Sequence, residues 1–403
     1  MYDFANSAYT TVVITAVFGA YFVGVVAANA PWATFAWTAA LSVSYAAILL
    51  TAPLIGAWAD AHAAKKRLLF LSTIGCVAFT AALYFVGPGM VALALVLIVV
   101  SNYFFGAGEN LIAAFLPELA DSQAMGRVSG WGWSFGYLGG LAALGICLAF
   151  ITMEQSQGKS ASEFVPVTML ITAAFFALAA APTFIFLRER ALAQGTGESP
   201  WLRLRETLRH AKRYRDLRRF LLCILFYQAG ITAVVALAAI YAEQAMKFTT
   251  QQTITLILVV NVTAAIGAFA FGYLQDAIGH VRALALTLAG WIVMVLLAGF
   301  SESATSFWVA ANIAGLCMGS SQAAGRAVVG YLAPPARVAE FFGLWGLATK
   351  AASIFGPLTY GAVTWIFSGN HRLGIFATGI YFVIGLVLLL GIDVERGRKA
   401  ALG

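Results

Sequence analysis

Ionisable side chains are scarce in this chain, and several sit where they are costly. Asp3, Glu109, Arg326 and Lys350 fall within or at the edge of long apolar runs, and Glu243 closes another. A charge surrounded by hydrocarbon is expensive, and such residues usually mark a solute path or a proton relay. The amides Asn6, Asn110, Gln228, Asn261 and Asn312 lie in the same kind of run and add hydrogen-bonding capacity. An amino-acid zwitterion would suit this set, because its carboxylate needs a cation and its amine an acid. Lys350 or Arg326 with Glu109 or Asp3 supplies both. The same groups could equally neutralise one another in the empty protein. Hydrolytic chemistry has no visible basis. The histidines (62, 210, 280 and 371) are scattered, and no glycine–lysine phosphate loop or metal-ligand cluster is present in the sequence. An enzyme is not expected, nor a metal or cofactor.

The candidates differ in what their positions allow. Lys350 lies about ten residues into its run, or ~15 Å at 1.5 Å per residue, near the middle of a bilayer. It is the foremost binding candidate. Glu109 lies about twenty residues into its run by the same count. It reads either as a proton-coupling acid whose pKa burial raises, or as the fixed partner of a cation. Arg326 stands near the end of its run and either pairs with Asp276, the favoured reading, or meets solute. Asp3 is a gate contact or a helix N-terminal cap.

The elements that must hold these groups follow from composition. Of 403 residues, 61% are hydrophobic and 10% charged, against about 25% charged in an ordinary soluble domain. A water-soluble surface cannot be assembled from that. At about 20 apolar residues per span, twelve helices are expected, at 5–27, 33–58, 67–87, 90–116, 128–152, 165–187, 219–243, 251–274, 281–301, 304–331, 339–366 and 373–393. The fold class is an all-α membrane protein with a six-helix bundle over 1–187, a basic linker over 188–218 and a second six-helix bundle over 219–403. The first run lacks a basic leader and is expected to be a retained span. The four cysteines (76, 147, 223 and 317) lie in apolar runs without CxxC spacing and are expected to be packing thiols.

The net charge of +7 is distributed by side. With both termini inside, nineteen Lys and Arg residues fall on the cytoplasmic side and three outside (Lys159, Lys247 and Arg372). That asymmetry places both termini in the cytoplasm. Within the linker, Ser199-Pro200 signals a helix start. Trp201, Leu204, Leu208, Ala211, Tyr214 and Leu217 then recur at steps of three and four, with basic residues between them. Such a helix suits the inner leaflet, so membrane lipid is the expected partner of 199–219 and nucleic acid is not.

The chain also repeats itself. Gly56-Ala57-Trp58-Ala59-Asp60 precedes Lys65-Lys66-Arg67, and Gly272-Tyr273-Leu274-Gln275-Asp276 precedes Gly279-His280 and Arg282. The glycines and the aspartates are each 216 residues apart, and Gly130 and Gly140 match Gly346 and Gly356 at the same offset. An internal duplication is expected. A glycine at a helix end lets a neighbour approach, and Asp60 or Asp276 one turn later faces the positive end of an adjacent helix. Gly132, Gly136 and Gly140 form a second small-residue stripe for close packing. Pro357, after Gly356, removes a backbone donor and should bend its helix. Glu118 and Arg127 flank the loop between spans 4 and 5 and are expected to make gating or loop contacts.

The doubled G-x-x-x-D-basic pattern resembles the loop between helices 2 and 3 of major facilitator transporters. The first copy departs from it, with Ala63-Ala64 where a glycine usually precedes the basic pair. Further segments are similar to the vacuole amino-acid effluxer family, in its bacterial branch: Tyr2-Asp3-Phe4-Ala5-Asn6-Ser7-Ala8, Phe115-Leu116-Pro117-Glu118 with Gly126-Arg127-Val128-Ser129-Gly130, and Ala339-Glu340-Phe341-Phe342-Gly343 with Gly356-Pro357. The resemblance implies the twelve-helix fold, secondary transport by alternating access, and helices 1, 4, 7 and 10 lining a central cavity. Asp3, Glu109 and Arg326 would then face that cavity. A small solute is the expected cargo and a monomer the expected state. A lipid or amphipathic-drug transporter, or a non-transporting assembly factor or sensor on the same fold, remains open at this point.

Overall fold

The computed structural model describes residues 1–113, 115, 125–189, 214–332 and 338–402, and among these there is no β-strand. Long helices follow in order: α1 (Tyr2–Val26), α2 (Ala33–His62), α3 (Lys65–Ala82), α4 (Val91–Ala113), α5 (Met125–Ser156) and α6 (Ala161–Phe186). After the linker come α7 (Arg215–Gln244), α8 (Thr250–Ile278), α9 (His280–Phe300), α10 (Ala304–Leu332), α11 (Val338–Ile366), α12 (His371–Leu390) and the short α13 (Val394–Leu402). Ten of them are long and apolar enough to cross a membrane. The two other expected spans coincide with α10 and α11, which contain residues whose side chains are not described. Large apolar side chains on the outward faces, such as Leu178 and Phe186 at 75% and 78% exposure, need a lipid solvent. The basic linker helix and Glu118 lie outside the described residues.

Contacts gather the chain into two compact units, Met1–Gly197 with Ala236–Leu258, and Glu198–Val235 with Val259–Gly403. In the first unit α1 packs on α5 and α6, α2 on α4, and α3 on α4 and α6. At the far end of α1 the Gln244 side-chain N–H donates to Asn29 Oδ1 at 2.7 Å. In the second unit α9 packs on α10 and α12, and α11 on α10 and α12. The same neighbour pattern recurs, with α3–α4 answered by α9–α10 and α3–α6 by α9–α12. All four cysteines are buried as free thiols.

α1 is the most buried of the ten apolar helices. Its tyrosines tie it to its neighbours: Tyr9 Oη is 2.8 Å from Ser101 Oγ, and the Tyr9 ring stacks on Phe105. Two of its stretches, Tyr9–Ala16 and Phe22–Val26, wind as π-helix, a form that usually appears as single turns at functional sites.

Glycine decides how closely the helices meet. A β-carbon at Gly139 of α5 would run into the Phe4 carbonyl oxygen of α1, and one at Gly356 of α11 into the Ala229 carbonyl oxygen of α7. These two contacts are counterparts, which corrects the offset expected for this pair of helices. Gly356 answers to Gly139, not to Gly140, and Gly346 faces open space. Backbone meets backbone at both places, so the methyl of alanine has nowhere to go.

The loop of the duplicated motif is also resolved. α2 ends at Ala63 with φ +48°, and α9 is preceded by Gly279 with φ +88°. These positions are 216 apart. Both copies turn at positive φ, but with different ψ, 50° at Ala63 and 155° at Gly279, and the first copy makes its left-handed turn with alanine at a cost of about 1–2 kcal/mol. Glu189, just after α6, steadies this loop by accepting the Lys65 and Lys66 backbone N–H groups at 2.8 and 3.1 Å. In the second unit Asp216, 4% exposed, accepts the Arg396 Nε and Nη2 hydrogens at 2.8 and 2.6 Å, fastening α13 to the start of α7. That bond raises the Arg396 guanidinium above its usual pKa, with the charge of Asp216 adding to it.

Two outcomes are expected. Ala63→Gly should raise the melting temperature of the purified protein, because relief of the left-handed strain exceeds the ~0.5–1 kcal/mol entropic cost of glycine. Gly139→Ala and Gly356→Ala should each destabilise by at least the ~1–3 kcal/mol typical of overpacking, seen as a lower melting temperature and loss of the monodisperse peak in gel filtration.

Candidate functional site

The polar residues of α1 share a face. Asp3, Ser7, Thr10 and Thr11 are all partly exposed, at the spacing of successive helical turns, while their neighbours Tyr2, Ala5, Ala8 and Tyr9 are buried. The glycine stripe of α5 lies directly against this face. A β-carbon at Gly132 would stand 2.5 Å from Asp3 Oδ2, at Gly136 3.0 Å from Ser7 Oγ, and at Gly140 2.5 Å from Thr11 Oγ1. The stripe thus packs closely, as its spacing implies, and the space left by the absent side chains is taken by polar groups of α1.

Behind that face, Tyr2 points among α3, α4 and α6. Its Oη is 2.9 Å from Thr73 Oγ1, and a β-carbon at Gly108 would be 2.7 Å from the same oxygen. Glu109 follows Gly108, and both Glu109 and Asn110 are half-buried. Asn6 is 5% exposed, and its amide makes no hydrogen bond among the described residues. α1 and α4 of the first unit therefore carry Asp3, Asn6, Ser7, Glu109 and Asn110.

The second unit repeats the frame with different polar groups. Tyr227 of α7 sets its Oη against Gly325 of α10, as Tyr2 does against Gly108. Arg326 follows Gly325 as Glu109 follows Gly108, so the two charges hold matched positions in the duplication. By the same register Gln228 stands where Asp3 stands. Gln228 is 4% exposed and its side-chain N–H donates to Gln322 Oε1 of α10 at 3.2 Å. The Thr232 hydroxyl, matched to Ser7, donates to the backbone oxygens of Gln228 and Ala229 at 2.9 and 3.2 Å. Lys350 is half-buried on α11, two residues before Ala352, whose carbonyl lies 3.4 Å from the Thr232 hydroxyl.

Other candidates are placed only by helix. Asp60, Arg127, Asp276 and Arg326 lie on α2, α5, α8 and α10, and their side chains fall outside the description. The Asn312 side-chain N–H donates to the Trp308 carbonyl at 2.8 Å. Tyr227, Gln322, Ser7 and Thr11 were not among the sequence candidates. A tyrosine facing a glycine carries no signal until the helix pairs are known.

The contrast between the two tyrosines is measurable. Tyr2→Phe removes the Tyr2–Thr73 bond while Thr73 keeps its bond to the Leu69 carbonyl, and should destabilise by about 1 kcal/mol, the usual worth of one buried hydrogen bond. A melting curve of the detergent-purified variant checks it.

Comparison with known proteins agrees with this architecture. Residues 19–402 match the family described as "Vacuole effluxer Atg22 like". The MFS-type transporter YxiO of Bacillus subtilis is 29% identical, the match spanning 100% of this chain and 95% of YxiO. Autophagy-related protein 22 of Kluyveromyces lactis is 26% identical over 84% of this chain and 74% of its own length. Among solved structures, a bacterial homologue of the human lysosomal transporter Spinster superposes with a TM-score of 0.71 at 14% identity, covering 100% of this chain and 96% of that one. The D-xylose–proton symporter gives 0.68 at 14% identity, over 97% and 95% of the two chains. At such identities the structural likeness speaks to the fold.

Proposed function

The chain belongs to the vacuole effluxer (Atg22-like) family and is a membrane transporter of the major facilitator type, and from that premise we propose that it carries amino acids across a bacterial inner membrane by alternating access. The family match over almost the whole chain carries this reading. The residues add chemical support. α1 and α4 bring the acids Asp3 and Glu109, and α10 and α11 bring the cations Arg326 and Lys350. An ammonium and a carboxylate on one small solute call for both kinds of group. Export fits the family's description, with both termini in the cytoplasm and a monomer as the working unit. Glu109 serves as the proton-coupling acid, half-buried beside Gly108 where the Tyr2 hydroxyl is seated.

Lys350 is assigned to the solute carboxylate. It lies twelve residues into α11, or ~18 Å along the axis. An ammonium that deep has few purely structural uses. The Asp60, Asp276, Glu118 and Arg127 positions are assigned to loop and gate contacts that change as the transporter turns over. The linker over 199–219 rests on anionic lipid.

The test is thermal stabilisation of the purified protein by L-leucine, L-lysine, L-glutamate and a lipid panel, repeated with Lys350→Ala. A ligand at a hundredfold excess over its Kd stabilises the folded state by about 2.7 kcal/mol, which is read as a raised melting temperature. Stabilisation by an amino acid, lost in Lys350→Ala, is the expected outcome. Stabilisation by lipids alone would overturn the amino-acid assignment in favour of an amphipathic cargo.

A further inference from the structure

Tyr227 Oη and Gln228 Oε1 are among the buried polar atoms of the second unit that have no hydrogen-bond partner among the described residues. Both belong to α7. The Tyr227 side chain is fully buried and Gln228 is 4% exposed. A buried phenol or amide without a hydrogen bond is unfavourable, and such an orphan in a native fold calls for an explanation. The counterpart tyrosine, Tyr2, shows that the frame can satisfy this hydroxyl, since it has Thr73 at 2.9 Å. The second copy keeps the tyrosine and its glycine seat, and leaves the hydroxyl unpaired.

The Gln228–Gln322 pair is incomplete in the same sense. Two facing amides can exchange two hydrogen bonds, one in each direction. Here only one is made, from Gln228 Nε2 to Gln322 Oε1, and at 3.2 Å it is long. The unused acceptor, Gln228 Oε1, is on the buried side. The unused donor, Gln322 Nε2, belongs to a residue that is partly exposed. Gln322 and Gly325 are three residues apart on α10, so the amide and the tyrosine seat share one helix face. One acceptor, one donor and one hydroxyl thus meet at the α7–α10 contact; the tyrosine has its counterpart in Tyr2, whereas Gln228 stands where α1 carries Asp3.

We propose that Tyr227, Gln228 and Gln322 form a specificity subsite for a solute head group that both donates and accepts hydrogen bonds, the amino-and-carboxylate head of an amino acid. The proposal rests on the amino-acid reading above and deepens it. Gln228 Oε1 takes an N–H of the solute ammonium, while Gln322 Nε2 and the Tyr227 hydroxyl donate to its carboxylate. The subsite is closed in this structure, and the solute reaches it as α7 and α10 part and the single long amide bond gives way. A site built to hydrogen-bond a solute rejects an analogue that lacks the matching group far more strongly than an apolar pocket does. Discrimination against solutes with only one of the two groups follows from the same atoms.

The experiment uses the full chain in detergent and in proteoliposomes, with L-leucine, 3-methylbutylamine and 4-methylpentanoate as probes, on wild type, Tyr227→Phe and Gln228→Leu. Removing an orphan hydroxyl should raise the ligand-free melting temperature of Tyr227→Phe by roughly 2 °C, while both variants should weaken L-leucine binding by about tenfold, the worth of one hydrogen bond to a charged group. The wild type should prefer L-leucine to both analogues. A lower melting temperature for Tyr227→Phe would overturn the proposal, because the hydroxyl would then have a structural partner. L-leucine binding unchanged in both variants would overturn it too, while leaving the amino-acid reading intact. A wild type indifferent to L-leucine would overturn the amino-acid reading itself and, with it, the subsite that rests on it.

Discussion

The rest of the structure depends on places where one helix backbone touches another with no side chain between them. Phe4 meets Gly139 in the first unit, and Ala229 meets Gly356 in the second. In a membrane the apolar solvent gives helices little reason to associate, so close packing and buried polar contacts must hold them together. Backbone contact of this kind fixes the register of α1 on α5 and of α7 on α11 to within a fraction of a residue. Once that register is set, Asp3, Ser7 and Thr11 fall opposite Gly132, Gly136 and Gly140, and the polar face of α1 has space it would lack against any larger residue.

The duplication preserves this packing and alters the polarity set upon it. Tyr2 and Tyr227 each occupy a glycine seat on the neighbouring helix, yet the residue after that glycine is Glu109 in one unit and Arg326 in the other. Asp3 answers to Gln228. The frame in both units is held by backbone contact and aromatic anchors. The result is one architecture with acids, Asp3 and Glu109, at positions where the second unit carries Gln228 and Arg326.

Much of this was legible in the sequence, and the limits have a physical cause. The membrane class follows from composition, and the helices are where their apolar runs put them. The glycine stripe on α5 was visible because four-residue spacing is a property of one helix. Its partner was not, since only the fold says that α1 lies against it. The 216-residue offset found the loop motif, and Ala63 and Gly279, at that offset, both take a positive φ. That offset missed Tyr227, because 54 residues separate Tyr2 from Gly56 but 45 separate Tyr227 from Gly272. The extra residues of the first copy lie between its tyrosine and its motif glycine, a stretch that includes the π-helical turns of α1. Side chains of Asp60, Arg127, Asp276 and Arg326 add nothing to this comparison beyond their helix positions.

Those π-helical turns bear on how the first helix fits its solvent. As a regular α-helix, the 25 residues from Tyr2 to Val26 would measure ~37 Å, longer than the ~30 Å hydrocarbon layer. A helix that overshoots usually leans over or thickens the lipid around it. Closing each hydrogen bond one residue later puts more residues into every turn and lowers the rise per residue. The π-helical stretches therefore make α1 shorter and wider than its residue count implies, and reduce its overshoot of the hydrocarbon layer.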